Sequence, residues 1–401
     1  MINKKNLTKE WEISDIKGIT LKTSTENPNK ENPNKLFYYI DISSIDLEKH
    51  KIILNSPILG KNAPSRARQK VKIDDVLIST VRPNLNAVTL IPKDLDNQIC
   101  STGFCILRTN KKVLPKFLFY YTRTNYFVDN LIMRCRGASY PAVTNKDVFS
   151  VKISFPNLSV QQKIVDILEK AEKLKKWRIH ADKLADMYLK SVFKQMFLDQ
   201  NFKECILRDF TKLISSGSTP KGGRDVYLED GSILFIRSQN VLMNKFSEHD
   251  ALYLPLEIHK RMKRTWVKNK DVLLNITGAS IGRTTIYEGE DDKANVNQHV
   301  CIIRLKNLKT FNPYYLNSYL SSLPMQEYII RMNAGATRQA LNFSQIGKFK
   351  IPIPPIEIQN QFAEIFRKVE ILKTQQKESK VQIDNLFDNL MQKAFRGELV
   401  C

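Results

Sequence analysis

Few residues of this 401-residue chain have the types and spacing that catalysis requires. The tetrapeptide NPYY at 312–315 is close to the Asn-Pro-Pro-Tyr signature of DNA adenine methyltransferases, but it lacks the second proline. In the first half of the chain the same place is taken by LPKF at 114–117, which has no catalytic character. Its Pro115, like Pro313, is typical of the first position of a helix. Since a glycine-rich loop for S-adenosylmethionine is also missing, the motif predicts a helix start and no methyl transfer.

Other patterns that could bind a nucleotide or a metal are also weak. GASIGR at 278–283 lacks the glycine spacing and the Lys-Ser/Thr ending of a P-loop. PLEIHK at 255–260 only faintly resembles the Glu-x-Lys of nucleases. The five histidines lie apart in the sequence and form no metal-binding pattern. We therefore expect no catalytic residue, no metal and no cofactor in this chain.

The cysteines and the N-terminus indicate a cytoplasmic protein. The N-terminal segment MINKKNLTKEWEISDIK has no apolar core of the kind that a signal peptide needs. An apolar stretch long enough to span a membrane is not found, so we expect no membrane contact. The cysteines form no Cys-x-x-Cys pair and are typical of reduced, buried thiols: Cys100, Cys105, Cys135, Cys205, Cys301 and Cys401.

The composition is strongly basic. Lys and Arg total 63 against 41 Asp and Glu, which gives a formal net charge of +22 and a pI near 9.6. Such a charge is typical of proteins that bind a polyanion, and nucleic acid is the usual one. The alternative interpretation is a lysine-rich composition of the host with no specific role.

One stretch of sequence occurs twice. VKISFPNLSVQQKIVDIL at 151–168 returns as FKIPIPPIEIQNQFAEIF at 349–366, with five of eighteen positions identical. Further pairs, such as FYYIDISSI (37–45) with ILFIRSQNV (233–241), keep an offset of 196 residues, which rises to 202 near the end of each half. Small insertions in loops and helices explain this drift. Two homologous halves therefore cover nearly the whole chain.

Both halves have the same internal order. Short β-like runs come first, separated by Asn, Pro, Gly and Asp, and a helical patch, a loop and one apolar strand ending in proline follow. This order is typical of an α+β domain, and a long helix closes each half. We predict a first domain at 1–157, a central spacer helix at 158–199, a second domain at 200–355 and a C-terminal spacer helix at 356–401.

A narrow apolar stripe runs along both long helices at steps of three and four residues. Such a stripe favours a coiled-coil seam over packing on a globular core. Because the first helix carries the chain away from the first domain, the second buries its stripe by returning antiparallel along it. The predicted fold class is α+β, a tandem repeat of two domains joined by an antiparallel coiled coil, with pseudo-twofold symmetry. The predicted seam residues are Ile164, Ile167, Ala171, Leu174, Ala181, Leu184, Phe362, Ile365, Val369, Leu372, Ile383 and Leu386.

Two basic domains held apart by a spacer suit a two-part site on double-stranded DNA. Arg reads guanine with two hydrogen bonds, Asn and Gln read adenine, and Lys mostly meets phosphate. The candidates lie in loops where the halves diverge, since different half-sites need different side chains, although any single Arg could equally be a solvated surface charge. The candidate DNA-binding residues are Arg66, Arg68, Lys70, Arg82, Arg134, Arg136, Tyr140, Lys221, Arg224, Arg237, Gln239, Asn240, Arg264, Arg283, Gln298 and Arg338.

The doubled strand–proline–Gln–helix phrase, the closing LMQKAFRGEL and two divergent domains of this size resemble the specificity (S) subunit of Type I restriction–modification enzymes. One departure is visible, because Val160 and Ile358 stand where the family usually has Glu before Gln161 and Gln359. The resemblance implies two target recognition domains, each reading half of a split DNA sequence. It also implies helices that bind two methyltransferase subunits, and restriction subunits where the host has them. S-adenosylmethionine, Mg and ATP would then serve those partner subunits.

Two other classes of function stay open at this point. The chain could be a free-standing catalytic DNA methyltransferase or nuclease. It could also be a scaffold whose spacer helices join protein partners and whose positive charge is incidental.

Overall fold

The computed structural model describes residues 11–137, 140–332 and 340–400. The chain divides into two compact units, of which unit 1 combines Met1–Ile179 with Glu378–Cys401, and unit 2 is His180–Lys377. Within the described ranges, no helix combines the length and the apolar character that crossing a bilayer needs.

The described residues of unit 1 form thirteen short strands and the first five helices. The strands are Glu12–Asp15 (β1), Thr20–Leu21 (β2), Leu36–Phe37 (β3), Tyr39–Ile40 (β4), Ile45–Asp46 (β5), Lys51–Ile52 (β6), Ile58–Leu59 (β7), Ala67–Lys70 (β8), Val76–Ser79 (β9), Val88–Leu90 (β10), Ile99–Ser101 (β11), Phe104–Thr109 (β12) and Lys152–Phe155 (β13). The helices are Pro28–Glu31 (α1), Pro115–Tyr121 (α2), Asn125–Ile132 (α3), Asn145–Phe149 (α4) and Leu158–Phe193 (α5), whose last turns extend into unit 2.

In unit 2, the part of the chain that the structure describes forms eleven strands and the remaining helices. The strands are Glu204–Ile206 (β14), Thr211–Ser216 (β15), Leu234–Ile236 (β16), Val241–Leu242 (β17), Lys245–Phe246 (β18), Leu252–Tyr253 (β19), Val272–Asn275 (β20), Thr284–Ile286 (β21), Ala294–Val296 (β22), Val300–Leu305 (β23) and Lys350–Pro352 (β24). The helices are Leu207–Phe210 (α6), Leu256–Arg261 (α7), Pro313–Leu320 (α8), Leu323–Met332 (α9), Phe343–Gly347 (α10) and Ile356–Arg396 (α11), whose last turns belong to unit 1.

The two units share most of their sheet topology. Unit 1 has a four-stranded sheet in the order β10-β9-β12-β2, a three-stranded sheet β4-β11-β8 and a pair β1-β13. Unit 2 repeats the four-stranded sheet as β21-β20-β23-β15 and the pair as β14-β24. The parallel pair β4-β11 also recurs, as β16-β22, but the third strand differs: β8 lies beside β11, whereas β19 lies beside β16. The register also repeats, since Val76 faces Leu107 as Val272 faces Ile303. The prediction of two homologous α+β halves is confirmed.

The glutamine of the repeated phrase explains why that phrase occurs twice. Gln161 is fully buried; its Oε1 accepts from Leu114 N (2.8 Å) and its Nε2 donates to Lys112 O (2.9 Å) and Pro156 O (2.8 Å). Gln359 does the same in unit 2, accepting from Asn312 N (2.8 Å) and donating to Pro354 O (2.8 Å). In each unit one side chain thus joins the last strand, the long helix and the loop that starts the helical patch.

A buried ion pair is also repeated at an offset of 196 residues. Arg108 donates two hydrogen bonds to the carboxylate of Asp75, from Nε to Oδ1 at 2.8 Å and from Nη2 to Oδ2 at 2.7 Å. Arg304 donates the same two hydrogen bonds to Asp271 at the same distances. The carboxylates are 1 % and 2 % exposed. Each also accepts from a backbone N–H at 2.7 Å, that of Lys72 or Lys268. These bonds fix the turn that leads into the central strand, β9 or β20.

The long helices meet start to end. In unit 1, Ile164 and Leu168 near the start of α5 share a core with Phe387 and Met391 near the end of α11. In unit 2, Phe193 at the end of α5 packs edge-on against Phe362 at the start of α11, with ring centroids 5.1 Å apart. An antiparallel course of the two helices follows, as predicted.

The seam is lined only in part by the predicted residues. Ile164, Ala171, Phe362 and Val369 are buried, and Ile167, Ala181, Ile365 and Ile383 are half-buried. However, four predicted seam leucines are 40–49 % exposed: Leu174, Leu184, Leu372 and Leu386. The inward positions fall one residue later and include Lys175, Ala185, Lys373 and Phe387. Two lysines occupy the seam because each pairs with an Asp of the other helix, which an apolar pattern does not reveal.

Candidate nucleic-acid interface

In unit 1 the loops at one edge of the sheets are tied together by backbone hydrogen bonds. Thr102 N donates to Arg66 O, Thr80 N to Gly103 O and Val143 N to Thr80 O, each at 2.9 Å. Arg66, residues 80–86, 102–103, 135–137 and 140–143 therefore form one continuous surface, the first loop surface. Four of the predicted residues lie on it: Arg66, Arg82, Arg136 and Tyr140.

Arg82 and Tyr140 form the centre of the first loop surface. The guanidinium of Arg82 lies 5.0 Å from the centroid of the Tyr140 ring, and Tyr140 is 70 % exposed. Arg82 N donates to Pro141 O at 2.7 Å. The backbone of Arg82 is left-handed, with φ 49, where unit 2 has Gly278 with φ 69. A non-glycine residue pays about 1–2 kcal/mol for this conformation, which is held here by the surrounding bonds.

The other basic candidates of unit 1 differ in whether their side chains are free to bind a ligand or are already bonded within the protein. Arg136 is 77 % exposed, with its guanidinium 4.0 Å from the Asp147 carboxylate. Arg68 donates to Ala67 O at 2.7 Å, and Lys70 pairs with Glu26 at 3.1 Å. Arg134 donates to Asn130 O, one turn earlier, at the end of α3. The side chains of Arg68, Lys70 and Arg134 are thus engaged within the protein, and these partners could not be recognised from local sequence.

Unit 2 has an equivalent surface, whose loops are joined by the same backbone hydrogen bonds; we call this set of bonds the frame. Ile276 N donates to His299 O at 3.0 Å and Leu341 N to Ile276 O at 2.9 Å, which matches the bonds of Thr80 and Val143. Asn297 N also donates to Ile236 O at 3.0 Å, so the ends of β16 and β22 lie at this edge. We call residues 217–224, 237–241, 276–283, 297–299 and 340–341 the second loop surface.

One candidate of unit 2 requires correction. Asn240 is 1 % exposed; its Oδ1 accepts from Arg237 N (3.0 Å) and its Nδ2 donates to Ser247 O (2.9 Å). Ser44 does the same in unit 1, where it is 3 % exposed and its Oγ accepts from Asp41 N (3.3 Å). Asn240 therefore shapes a turn, and its amide is turned away from any ligand in solvent.

The remaining candidates of unit 2 are mostly exposed. Arg237 is half-buried and donates to Asp250 O, whereas Gln239 beside it is exposed. Arg264 lies on a separate 3-10 turn, Lys263–Thr265, outside the second loop surface as defined. Arg338 falls outside the described residues. The exposed candidates on the second loop surface are Lys221, Arg224, Gln239, Arg283 and Gln298.

Gln298 belongs to a hydrogen-bonded row of four side chains. Thr219 Oγ1 donates to Gln298 Oε1, and Gln298 Nε2 lies 3.0 Å from His299 Nε2. His299 Nδ1 lies 2.6 Å from Thr277 Oγ1. The sequence pattern predicted only Gln298 of these four. The alignment of VNQHV with CSTGF, which places Gln-His opposite Thr-Gly, was the signal that would have added His299.

Groups with possible catalytic character have structural roles. Asn312 of NPYY caps α8, its Oδ1 accepting from Tyr314 N at 2.9 Å, and Tyr315 OH donates to Pro352 O at 2.9 Å. Burial raises the pKa of Cys105 and of Cys301 to about 12, so these thiols stay protonated. Among the described residues, no cluster of three or more His, Cys, Asp or Glu side chains is arranged to hold a metal ion.

The chain matches the family described as Type I restriction modification DNA specificity domain twice, over residues 8–185 and 200–383. It is 27 % identical over 195 residues to the Type I restriction enzyme HindI specificity subunit of Haemophilus influenzae, a match covering 47 % of this chain and 41 % of that one. It is 31 % identical over 147 residues to the EcoBI specificity subunit of Escherichia coli, covering 36 % and 30 %. These two alignments thus span less than half of each relative.

Longer matches exist. The putative MjaX specificity subunit of Methanocaldococcus jannaschii is 22 % identical over 98 % of this chain and 94 % of its own length. A solved structure that addresses complex assembly and conformational transition of the type I R-M system has a TM-score of 0.68 at 27 % identity, covering 98 % of this chain and 99 % of that one. The HsdS subunit from Thermoanaerobacter tengcongensis has a TM-score of 0.51 at 27 % identity, covering 98 % of each chain.

Both halves of the chain therefore carry the same matched domain, on the repeated topology that the two units display. The chain belongs to the family of Type I restriction modification DNA specificity domains.

Proposed function

We propose that the chain is the non-catalytic specificity subunit of a Type I restriction–modification complex and recognises a bipartite double-stranded DNA target. The observation that carries this proposal is the pair of loop surfaces, which share one hydrogen-bonded frame and differ in their side chains. In this proposal the domain at 1–157 reads one half-site and the domain at 200–355 reads the other. Such a frame with exchangeable side chains suits the reading of two different short sequences.

The charge supports a DNA partner of this kind. A protein with a net charge of +22 neutralises several phosphates and releases their counterions, so its affinity for DNA falls steeply as salt rises. Arg66 and Arg136 of unit 1 and Lys221, Arg224 and Arg283 of unit 2 are exposed near the loop surfaces and are suited to phosphate or guanine contacts. A complex that acts on cellular DNA works in the cytoplasm, and we assign the chain to that compartment.

The long helices are suited to hold the catalytic subunits. Beside the buried seam, α5 carries a second apolar stripe in which Leu174, Trp177, Leu184 and Tyr188 are 40–57 % exposed. On α11, Ile371, Leu372 and Leu386 are 45–60 % exposed. Apolar residues at heptad spacing fit partner helices. Two methyltransferase subunits, and restriction subunits where present, would dock there and bring S-adenosylmethionine, Mg and ATP chemistry.

The proposal is tested with the full chain, alone and together with methyltransferase subunits from the same host. We expect the complex to select one bipartite motif from a library of random duplexes and to methylate it, and the chain alone to transfer no methyl group. Methyl transfer or cleavage by the pure chain would support a free-standing enzyme instead. Binding without any sequence preference, in every combination of subunits, would support the scaffold.

A further inference from the structure

The row Thr219–Gln298–His299–Thr277 holds one exposed amide in place. An amide nitrogen only donates, so His299 Nε2, 3.0 Å from Gln298 Nε2, must accept. The ring proton then lies on His299 Nδ1, which donates to Thr277 Oγ1 at 2.6 Å. At the other end Thr219 Oγ1 donates to Gln298 Oε1. The amide of Gln298 is therefore held from both sides. Reversal of the amide together with the His299 tautomer would leave the same two groups free, one N–H and one oxygen lone pair.

These bonds determine what Gln298 presents to solvent. Within the part of the chain that the structure describes, the Gln298 amide keeps one Nε2–H and one Oε1 lone pair beyond those used in the row. A donor and an acceptor side by side match N7 and the N6 amino group of adenine in the major groove. Guanine shows two acceptors at the same edge, O6 and N7, and so leaves the amide oxygen opposed to an acceptor.

The row is a feature of unit 2 alone, although its backbone frame is repeated. Thr102, Gly103 and Val81 stand where Gln298, His299 and Thr277 stand, while Thr80 N donates to Gly103 O (2.9 Å) as Ile276 N donates to His299 O (3.0 Å). A purely structural clamp would be needed equally in both units. The loop side chains differ between the two units while the backbone hydrogen bonds stay the same. Recognition of two different half-sites requires such a difference.

We infer that Gln298 is an adenine-specific reading residue for the half-site of unit 2, with His299, Thr219 and Thr277 as positioning residues. This inference rests on the proposed function. A bidentate contact of this kind discriminates between bases by about 5- to 150-fold. Gln298→Ala should therefore remove the preference for adenine at one position of one half-site. Thr277→Val, which leaves the His299 proton without its acceptor, should weaken the preference at that same position by a smaller factor.

The test begins with the motif that the full chain and its methyltransferase subunits select from random duplexes. Wild type, Gln298→Ala, Thr277→Val and the control Gln382→Ala, an exposed glutamine of α11, are compared. We expect only Gln298→Ala and Thr277→Val to alter one adenine position, with the other half-site unchanged. Altered preference at many positions would mean a structural clamp, and unchanged preference would mean that Gln298 reads nothing; both results overturn the inference.

Chemically modified DNA tests which atom of the adenine Gln298 contacts. Replacing the adenine at that position by 7-deazaadenine removes the N7 acceptor and should weaken binding of the wild type. The same replacement should have no further effect on Gln298→Ala, because the contact is already lost. Equal losses in both proteins would refute the contact. If the wild type selects no motif at all, the proposed function fails, whereas a normal motif with an insensitive Gln298 refutes this inference alone.

Discussion

Lys175 Nζ lies 2.9 Å from Asp384 Oδ1, across the two long helices within unit 1. Unit 2 repeats the relationship, because Lys373 Nζ lies 2.6 Å from Asp186 Oδ1. Lys373 follows Lys175, and Asp384 follows Asp186, by 198 residues, the offset of the repeated phrase. The side chains of the first pair are 34 % and 39 % exposed, so each bridge contributes only about 0–1 kcal/mol. Its main effect is to specify which residues of the two helices face each other.

A charge reversal tests this role. Lys175→Glu places two carboxylates together and should lower the free energy of unfolding of the full chain by about 1 kcal/mol. Adding Asp384→Lys should restore most of that loss. Urea unfolding of the wild type, both single variants and the double variant gives the coupling energy. Single-variant effects that simply add would show that the pair does not set the register.

Arg82 gives a prediction in which stability and DNA binding separate. Arg82→Ala and Arg82→Gly both remove the guanidinium, so both should weaken binding or relax one position of the half-site read by unit 1. The left-handed backbone at Arg82, with φ 49, strains alanine but not glycine. Arg82→Gly should therefore be about 1 kcal/mol more stable than Arg82→Ala. Thermal unfolding and duplex binding are the two measurements, and equal stability of the variants would contradict the strain.

The buried glutamines should be among the most sensitive positions of the chain. Gln161→Ala leaves Leu114 N and two carbonyl oxygens without their partner, and Gln359→Ala does the same at Asn312. Each loss should cost about 1–3 kcal/mol or more, as expected for unsatisfied buried groups. Gln162→Ala is the matched control, since Gln162 is exposed and bonds only to Asp166 among the contacts described for it (2.7 Å). Denaturant unfolding that ranks Gln162→Ala with the other two would disprove the assigned role.

His50 makes the stability of unit 1 depend on pH. Burial of the imidazole and the nearby charge of Arg123 lower the pKa of His50 to about 4 from 6.5. As the pH falls below 6.5, His50 is protonated in the unfolded chain before it is protonated in the folded protein. The free energy of unfolding is therefore unaffected by His50 above pH 6.5 and decreases between pH 6.5 and about 4. The loss is on the order of 3 kcal/mol. Unfolding between pH 7 and 4 should be less pH-dependent in His50→Gln than in the wild type, whereas the exposed His180→Gln should behave like the wild type.

The sequence by itself determined the larger organisation. The repeat, the α+β order and both long helices could be predicted from local sequence patterns. These patterns are the apolar periodicity and the turn residues, which act over a few neighbouring positions. Alignment of the two halves also located the loops that became the two loop surfaces. Position within those loops made Arg82, Tyr140 and Gln298 candidates, and the structure places them on the two loop surfaces.

Tertiary structure decided which side chains are available and which are engaged. Asn240 looked like an adenine reader and is buried in a turn, and Lys70 is paired with Glu26, 44 residues away. At four predicted leucines the inward position of the long helices falls one residue later, and at two of these positions a lysine pairs with an aspartate of the opposite helix. The row from Thr219 to Gln298 joins residues 79 apart in sequence. These side-chain contacts form only when elements from distant parts of the chain pack together, so a local sequence pattern does not predict them.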